Sequence, residues 1–593
     1  MTTRATRSPR RRTVVALAVV LAVLAAFVVR LIDIQVVNAK EHIADSMANA
    51  LGASRTLYGT RGAIVDENGQ TLAGSILLYD CQLDPLLITQ LDADIAAGEP
   101  DYRPWSEVSV DAASITGQTP EEVQQIVGDA LAADPESRFA YLDKGVSTEQ
   151  YRALVELGVP YIVCLQHPAR TYPDGAVAGN LVGFMGADGP LEGLEATENA
   201  CLASESGTLA YQRGRDGVII PGTEVEDPAV DGGTLQLTIN RDLQWYLQQL
   251  IAEQVQDMGA LSGTITVLEV STGKLRAAAE YPTVDPNDVD ATDSDDRGSR
   301  IFRSTFEPGS TFKALTAATV VDAGGQTALS TVVTPSYVTF PNGASVRDAF
   351  GHPDYVYTLA GVLIDSSNVG ISMFSEKVSP QTRYDYLTKF GIGSSSAVGF
   401  QGEETGTIWP VDSWDRQTVY NTSYGQGLTT TIPELLGAYG AIANDGVRMP
   451  LSIVESCTEA DGTVVEPTLP DPERVISESS ATQMQRMLES VFTQGGHASS
   501  VAVPGYRIAG KTGTGEKSDG NGGYKAGAYF TTMIGFAPAD DPQYVVAVTL
   551  DEPTKVKSSG ANATAWQKAM TQVLKTYRVM PSTTSPTELP KFG

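Results

Sequence analysis

The sequence is short of basic residues, histidine and cysteine, and each shortage excludes a class of function. Lys and Arg number 41 against 71 Asp and Glu in 593 residues, which gives a formal net charge of −30 at pH 7. A surface with that excess of negative charge repels phosphate backbones, so no nucleic-acid partner is expected. With 42% hydrophobic residues, the chain can still bury large cores in several domains.

Histidine and cysteine are too few and too scattered for the sites that they usually build. They are His42, His167, His352, His497, Cys81, Cys164, Cys201 and Cys457. Without a Cys-x-x-Cys pair, neither a zinc site nor a histidine-based triad is predicted, and we expect no metal and no cofactor. A disulfide-built scaffold is excluded. A single disulfide such as Cys164 to Cys201 is permitted, but the sequence does not determine the pairing. Cys457 is expected to be partly buried, without a redox role.

Positive charge is concentrated at the N-terminus, ahead of a long apolar run. Residues 1–12 contain five arginines and no acidic residue, and residues 13–29 are uncharged. This pattern predicts a cytoplasmic basic tail over residues 1–12, a single membrane anchor over residues 13–33, and an extracytoplasmic remainder. A cleaved signal peptide is the alternative, but the apolar run is long for one, and the nearest small-x-small site, Ala48–Ala50, lies well downstream.

Residues 34–232 are mixed and acidic, and they contain no catalytic pattern. Apolar residues alternate around a turn over residues 61–73, which predicts a strand, a tight turn and a second strand. Helices are predicted over residues 119–131 and 147–157. We interpret the region as an elongated N-terminal pedestal or partner-binding domain.

The sequence pattern changes at residue 233, and a catalytic domain is predicted over residues 233–577. It begins with a short strand, a long amphipathic helix and a hairpin around residues 271–274. Near its end come a helix over residues 561–577 and, before it, three β-rich stretches, residues 505–515, 529–537 and 544–550. The fold class is therefore α+β, with one antiparallel sheet built from both ends of the domain and flanked by helices. Residues 578–593 are rich in Pro, Ser and Thr and are predicted to be a flexible tail.

A serine nucleophile without histidine needs another base, and a lysine with a depressed pKa is the usual substitute. In a helix, Ser-x-x-Lys puts both side chains on one face. The pattern occurs twice, and Ser271–Lys274 is interpreted as a hairpin turn. Ser310 and Lys313 instead follow Pro308-Gly309 at the start of a predicted helix, where backbone N–H groups favour developing negative charge. A solvated serine and lysine on a helix would also fit this pattern alone.

Two further motifs, each present once, favour a catalytic interpretation. Ser366-Ser367-Asn368 offers a hydroxyl to relay a proton and an amide to hold a peptide. The Lys-Thr-Gly-Thr sequence after YRIAG offers a cation, two hydroxyls for a carboxylate, and a glycine that permits close backbone approach. The candidate site residues are therefore Ser310, Lys313, Ser366, Asn368, Lys511, Thr512, Gly513 and Thr514.

In this order the three motifs resemble the signature of penicillin-binding proteins and class A β-lactamases. The segments FEPGSTFKALTA, SYGQGLTTTIPELLGAYGAIANDG, AGKTGTGE and FTTMIGFAP are similar to the serine transpeptidase domain of class B penicillin-binding proteins. RGAIVDENGQTLA and RTYPDGAVAGNLVGF resemble the paired motifs of that family's N-terminal, dimerisation-like domain. The resemblance covers the chain after residue 30. Phe306 and Asn240 depart from the common tyrosine and aspartate, and neither lies in the three motifs.

The resemblance implies a peptidoglycan D,D-transpeptidase that works through a serine acyl-enzyme. Ser310 would attack the penultimate D-alanine of a stem peptide and release the terminal D-alanine, with Lys313 as its base. Ser366 would relay a proton to the leaving amine, Asn368 would orient the substrate amide, and Lys511 would supply positive potential.

The resemblance also implies how the site binds its ligands. Thr512 and Thr514, on either side of Gly513, would bind the substrate carboxylate, and the N–H groups of Ser310 and Thr514 would form the oxyanion hole. An amine of a second stem peptide would then take the acyl group and complete a cross-link. β-Lactam antibiotics would acylate Ser310 in the same way.

Further partners implied by the resemblance are a SEDS-type glycosyltransferase in the membrane and other proteins of the divisome or elongasome. The single anchor, the compact catalytic domain and the ending LKTYRVMP favour the septal type over the elongation type. A secreted β-lactamase is an alternative, but the Glu-x-x-Leu-Asn deacylation motif of class A enzymes does not occur between the second and third motifs. A β-lactam sensor or a catalytically silent scaffold is another, but it would not need both lysines. The acidic run over residues 288–296 lacks EF-hand spacing and is interpreted as a solvated loop.

Overall fold

The computed structural model describes residues 9–32, 53–97, 102–186, 188–212 and 223–593. Most of the predicted basic tail (residues 1–8) and the start of the predicted pedestal (residues 34–52) lie outside the described residues. Helix α1 covers most of the predicted anchor. Within the described ranges, no helix combines the length and the hydropathy that crossing a bilayer requires.

The helices are as follows. In chain order they are α1 Pro9–Ile32, α2 Pro85–Ala96, α3 Trp105–Thr116, α4 Pro120–Ala133, α5 Thr148–Glu156, α6 Gly179–Val182, α7 Gly193–Thr197, α8 Asn199–Leu202, α9 Arg241–Met258, α10 Arg300–Arg303, α11 Lys313–Asp322, α12 Leu359–Ile364, α13 Asn368–Ser375, α14 Pro380–Lys389, α15 Thr418–Asn421, α16 Ile432–Ala443, α17 Glu478–Gln494, α18 Ala498–Val501 and α19 Ala563–Thr576. The helices predicted over residues 119–131, 147–157 and 561–577 correspond to α4, α5 and α19.

The strands are numbered in the same way. They are β1 Ala53–Leu57, β2 Ile64–Val65, β3 Thr71–Leu83, β4 Ala140–Val146, β5 Ile162–Thr171, β6 Met185–Gly186, β7 Gly189–Pro190, β8 Gly207–Tyr211, β9 Val225–Asp227, β10 Thr234–Leu237, β11 Ser262–Glu269, β12 Leu275–Tyr281, β13 Thr331–Thr334, β14 Tyr337–Thr339, β15 Ser345–Arg347, β16 Tyr355–Thr358, β17 Val447–Arg448, β18 Val454–Thr458, β19 Val464–Val465, β20 Glu473–Arg474, β21 Ala509–Ser518, β22 Tyr524–Ala537 and β23 Tyr544–Asp551.

The chain divides into two compact units. One comprises Met1–Thr60 with Ser204–Asp231, and the other comprises Arg61–Ala203 with Gly232–Gly593. In the first unit, β8 pairs with β1 and β9 in an antiparallel sheet. The second unit contains the sheet built around β3 and the five-stranded sheet of the predicted catalytic domain.

In the second unit, the long strand β3 is the central strand of the region predicted as a pedestal. It pairs with β2 across the predicted turn, and with β4 and β5 on its other half. Helices α2 to α5 bury a small core against these strands, around Trp105 and Tyr161. A disulfide joins Cys81 of β3 to Cys164 of β5, which are direct partners in the register. The permitted bridge from Cys164 to Cys201 is therefore not the one that forms.

Covalent and ionic contacts tie this region to the rest of the second unit. Strand β2 pairs in parallel with β10, so the sheet runs continuously across residue 233. A second disulfide joins Cys201 to Cys457, which is partly buried as expected. Glu195, fully buried, accepts hydrogen bonds from Arg61 and from Arg170, each at 2.6 Å. Each of the two predicted N-terminal motifs thus supplies one arginine to the same carboxylate.

The catalytic sheet is built from both ends of the predicted domain, which confirms that expectation. Its strand order is β12-β11-β23-β22-β21, and every neighbouring pair is antiparallel. Helices cover it, with α9 on β12, α17 on β21, and α16 and α19 on β23. Strand β23 and the second half of β22 are almost continuously buried, as expected of strands covered on both faces, while the first four residues of β22 are exposed. The sheet therefore gives β21 a rigid support beside the site.

Residues 578–593 differ from the flexible tail that their composition predicts. Hydrogen bonds from the folded domain reach this stretch along its length, at Ser582, Thr584, Leu589, Pro590 and Lys591. Composition predicts disorder when a segment has nothing to pack on, and here the domain surface supplies polar partners.

Candidate active site

Ser310 lies in a 3-10 turn, Gly309–Phe312, that runs directly into α11 at Lys313. It is thus one turn ahead of the α-helix that the sequence places it in. Gly309 has a φ of 55°, and an added side-chain carbon there would lie 2.5 Å from the Thr514 carbonyl oxygen. Only glycine satisfies both conditions, so the backbone of the nucleophile turn touches β21 beside Thr514.

Ser366 is held in a left-handed conformation between α12 and α13. Its φ is 57°, a region that non-glycine residues enter at a cost of about 1–3 kcal/mol. Ser367 caps α13 by accepting a hydrogen bond from the Gly370 N–H, and its own hydroxyl donates to Asp348 at 2.7 Å. Asn368 is the first residue of α13, and its amide donates to the Arg347 carbonyl oxygen. The strained Ser366 is therefore held between two helices, α12 before it and the capped α13 after it.

The Lys-Thr-Gly-Thr motif lies inside β21, which begins at Ala509, and not at the end of a strand over YRIAG. Because strand side chains alternate, Thr512 and Thr514 share one face. An added side-chain carbon at Gly513, on the other face, would lie 2.7 Å from the Pro308 carbonyl oxygen. Gly513 thus lets the strand lie directly against the nucleophile turn.

The structure brings Lys313 and Lys511 together on the hydroxyl of Ser366. Lys313 Nζ lies 3.1 Å from Ser366 Oγ and 2.5 Å from the Ser366 carbonyl oxygen. Lys511 Nζ lies 3.0 Å from the same Oγ. Both lysines are almost completely buried. The first and third motifs therefore meet through the second.

Burial sets the protonation of these lysines. It lowers the pKa of Lys313 well below its usual range, the charge of Lys511 lowers it further, and Asp348 partly opposes the shift. Burial alone lowers the pKa of Lys511 to about 7. A lysine whose pKa is depressed in this way can be a neutral amine at physiological pH and accept a proton.

The candidate residues border a cleft of about 290 Å³. Ser310, Ser366, Asn368, Thr512, Gly513 and Thr514 all line it, and the two lysines lie buried behind it. The sequence analysis did not single out six other lining residues, which are Ala349, Phe350, Asp365, Tyr424, Gln426 and Ser559. Tyr424 and Gln426 stand in the segment SYGQG that carries the resemblance, which was the available signal for them.

In the described part of the chain, no group of three His, Cys, Asp or Glu side chains is arranged to hold a metal ion. The acidic run over residues 288–296 forms two short 3-10 turns. Its Asp290 is almost fully exposed and lies 3.4 Å from Arg297.

A serine that lines the cleft, a buried lysine three residues after it, and a second serine whose hydroxyl contacts two buried lysines together define a serine acyltransferase. Residues 263–572 match the family model of the penicillin-binding protein transpeptidase domain, and residues 56–237 match that of the penicillin-binding protein dimerisation domain. The chain therefore belongs to the penicillin-binding proteins. It has the two-domain, mixed α+β fold of that family.

Named relatives cover most of the chain. Penicillin-binding protein PbpB of Mycolicibacterium smegmatis is 34% identical over 569 residues, which is 92% of this chain and 87% of that protein. Peptidoglycan D,D-transpeptidase FtsI of Escherichia coli K12 is 29% identical over 525 residues, 88% of this chain and 84% of that protein. The crystal structure of penicillin-binding protein 3 from Mycobacterium tuberculosis, complexed with aztreonam, matches with a TM-score of 0.68 and 29% identity over 90% of this chain and 99% of that one.

We expect a bell-shaped pH dependence for acylation of Ser310. At low pH Lys313 is protonated and cannot take the Ser310 proton, so the rate rises as pH increases through its depressed pKa. Lys511 must stay charged to supply positive potential, so the rate falls as pH increases through about 7. Stopped-flow labelling with a fluorescent penicillin across pH would measure both limbs. A rate that stays level from about pH 5 to about pH 9 would contradict this assignment.

Proposed function

We propose that the protein is a peptidoglycan D,D-transpeptidase of the septal type and a target of β-lactam antibiotics. The observation that carries the proposal is the Ser366 hydroxyl between two buried lysines, in the cleft that Ser310 lines. The names of the PbpB and FtsI relatives support the transpeptidase assignment.

In the first step, the neutral amine of Lys313 takes the proton of Ser310 as Oγ bonds to the carbonyl carbon of the penultimate D-alanine. The carbonyl oxygen becomes an oxyanion, which the N–H groups of Ser310 and Thr514 stabilise. The carboxylate of the terminal D-alanine binds at Thr512 and Thr514 on the cleft face of β21.

In the second step, the C–N bond breaks and the proton on Lys313 passes through the Ser366 hydroxyl to the leaving amine. The observed distances of 3.1 and 3.0 Å suit such a relay. D-Alanine leaves, and the acyl-enzyme remains on Ser310. The amine of a second stem peptide then attacks the ester, and Ser310 recovers its proton as the cross-link forms.

We also propose a membrane-anchored position, with residues 1–12 cytoplasmic, residues 13–33 in the membrane and the catalytic domain outside. The arginine-rich start and the apolar run support this topology. The two disulfides support an oxidising compartment for the part of the chain that holds them. A SEDS-type glycosyltransferase and other divisome proteins are the partners we propose, and the similarity to FtsI and PbpB supports the septum over the side wall.

Incubation of the full chain with a fluorescent penicillin tests the enzyme class. We expect a covalent adduct that persists for hours and maps to the peptide that contains Ser310. Rapid loss of the label with penicillin hydrolysis would favour a β-lactamase. A protein that takes up no label would leave only the catalytically silent scaffold alternative. Localisation of a tagged copy at the side wall would overturn the septal proposal alone.

A further inference from the structure

The last residues of the chain run antiparallel to β16 and form a β-bridge with it. In this closing segment, residues 589–593, the Lys591 carbonyl oxygen accepts a hydrogen bond from the Thr358 N–H at 3.0 Å. The N–H of Gly593 donates to the Val356 carbonyl oxygen at 3.0 Å, and the Phe592 ring stacks on Tyr357. The closing segment therefore continues the pairing of β16, the strand that leads into α12.

The closing segment also touches α12 itself. Thr358 caps this helix, and its hydroxyl donates to the Pro590 carbonyl oxygen at 2.6 Å. An added side-chain carbon at Gly361, in the first turn of α12, would lie 1.9 Å from the Lys591 carbonyl oxygen. Contact this close requires glycine, so the segment and the helix fit each other without space between them.

At the other end of α12, the side chain of Lys591 reaches the residue before Ser366. Lys591 Nζ lies 2.7 Å from Asp365 Oδ1, and the Tyr357 hydroxyl donates to Asp365 Oδ2 at 2.9 Å. The ion pair is mostly shielded from solvent, with side-chain exposures of 28% for Lys591 and 21% for Asp365. Asp365 also lines the active-site cleft. Both of its oxygens therefore accept hydrogen bonds, one from the closing segment and one from β16.

Ser366 needs such support because its left-handed backbone is strained. Strained backbone persists only where the surroundings over-determine it. On one side Ser367 is fixed by Asp348, which also accepts a hydrogen bond from the Val369 N–H. On the other side, the groups that fix Asp365 are Lys591 and Tyr357. If Asp365 is released, the peptide that carries Ser366 can relax, and its hydroxyl leaves the point where both lysines reach it.

We infer that Lys591 is a positioning residue of the transpeptidase, acting through Asp365 to hold the Ser366 hydroxyl between Lys313 and Lys511. The inference rests on the proposed function, because it assigns Lys591 a role in that reaction. Lys591 itself does not line the cleft, so its effect falls on the chemical step and leaves ligand binding unchanged.

The test compares Lys591→Met with wild type in single-turnover labelling by a fluorescent penicillin over a range of concentrations. We expect the maximal acylation rate to fall roughly tenfold, while the half-saturating penicillin concentration and the melting temperature stay near wild type. Lys591→Arg keeps the charge and should restore most of the rate. Lys568→Met is the matched control, because Lys568 is exposed and has no ion pair among the described residues.

A double-mutant cycle separates positioning from a general structural role. In an Asp365→Asn background, Lys591→Met should cause no further loss, because the pair it acts through is already broken. The inference would be overturned if Lys591→Met lowered the maximal acylation rate equally in both backgrounds, or if it left that rate unchanged. In either case, labelling of the wild-type protein would still uphold the proposed function. A wild-type protein that takes up no penicillin would overturn the proposed function and this inference with it.

Discussion

Replacement of Lys313 by methionine is expected to lower the rate at which penicillin acylates Ser310 by about 10²- to 10⁴-fold. The side chain is fully buried, its Nζ contacts Ser366, and its pKa is well below the usual range for lysine. Methionine matches the length and volume of the lysine without its amine, so the core keeps its packing while the base is lost. Stopped-flow labelling with a fluorescent penicillin measures the rate.

The chain supplies its own control for this prediction. Ser271 and Lys274 repeat the Ser-x-x-Lys spacing in the turn between β11 and β12, where Lys274 pairs with Glu455. Lys274→Met should therefore acylate at the wild-type rate, and Ser310→Ala sets the zero level. A Lys313→Met protein that labels within threefold of the wild-type rate would show that another group takes the Ser310 proton. A threefold change in rate corresponds to only ~0.7 kcal/mol of activation free energy.

Replacement of Glu195 by alanine is expected to lower the free energy of unfolding by about 3–5 kcal/mol. The Glu195 side chain is fully buried between Arg61 and Arg170, whose side chains are 13% and 7% exposed. Without the carboxylate, two buried guanidinium groups face each other unpaired, and water cannot reach them easily. Urea unfolding followed by tryptophan fluorescence measures the change.

An exposed ion pair provides the comparison. Glu107 lies 3.6 Å from Arg103, with both side chains about half exposed, so Glu107→Ala should cost no more than ~1 kcal/mol. If Glu195→Ala is no more destabilising than Glu107→Ala, the buried triad does not stabilise the region where the two N-terminal motifs meet. Penicillin labelling of the folded fraction should stay near wild type, because Glu195 does not line the cleft.

The catalytic sheet could be predicted because its information is local. Apolar runs with clear turns between them predict strands β11, β12, β22 and β23. These patterns can be recognised without knowing which distant residues the strands contact. The disulfide pairing could not be predicted, since Cys201 and Cys457 are 256 residues apart in sequence. The order of the closing segment was missed for the same reason. Its partners, Thr358 and Asp365, belong to elements that only the fold brings close.

Much of the candidate site was also predictable, and its precise geometry was not. The three motifs name the chemical groups, but nothing in the spacing of Ser366 reveals that its backbone is left-handed. Asp348 and Asp365 lie outside the motifs, and their roles depend on hydrogen bonds across the fold. Lys511 was expected to influence its neighbours by charge, and burial instead lowers its pKa to about 7, so that its own charge depends on pH.

The Cys201–Cys457 disulfide divides the catalytic motifs into two topological groups. Ser310 and Ser366 lie within the covalent loop that it closes, while Lys511 lies beyond it. A single proteolytic cut inside the loop would leave both fragments joined on a non-reducing gel. A cut between Cys457 and Lys511 would instead leave β21 attached by packing and hydrogen bonds alone. The active site is thus assembled from one cross-linked part of the chain and one part that only noncovalent contacts hold.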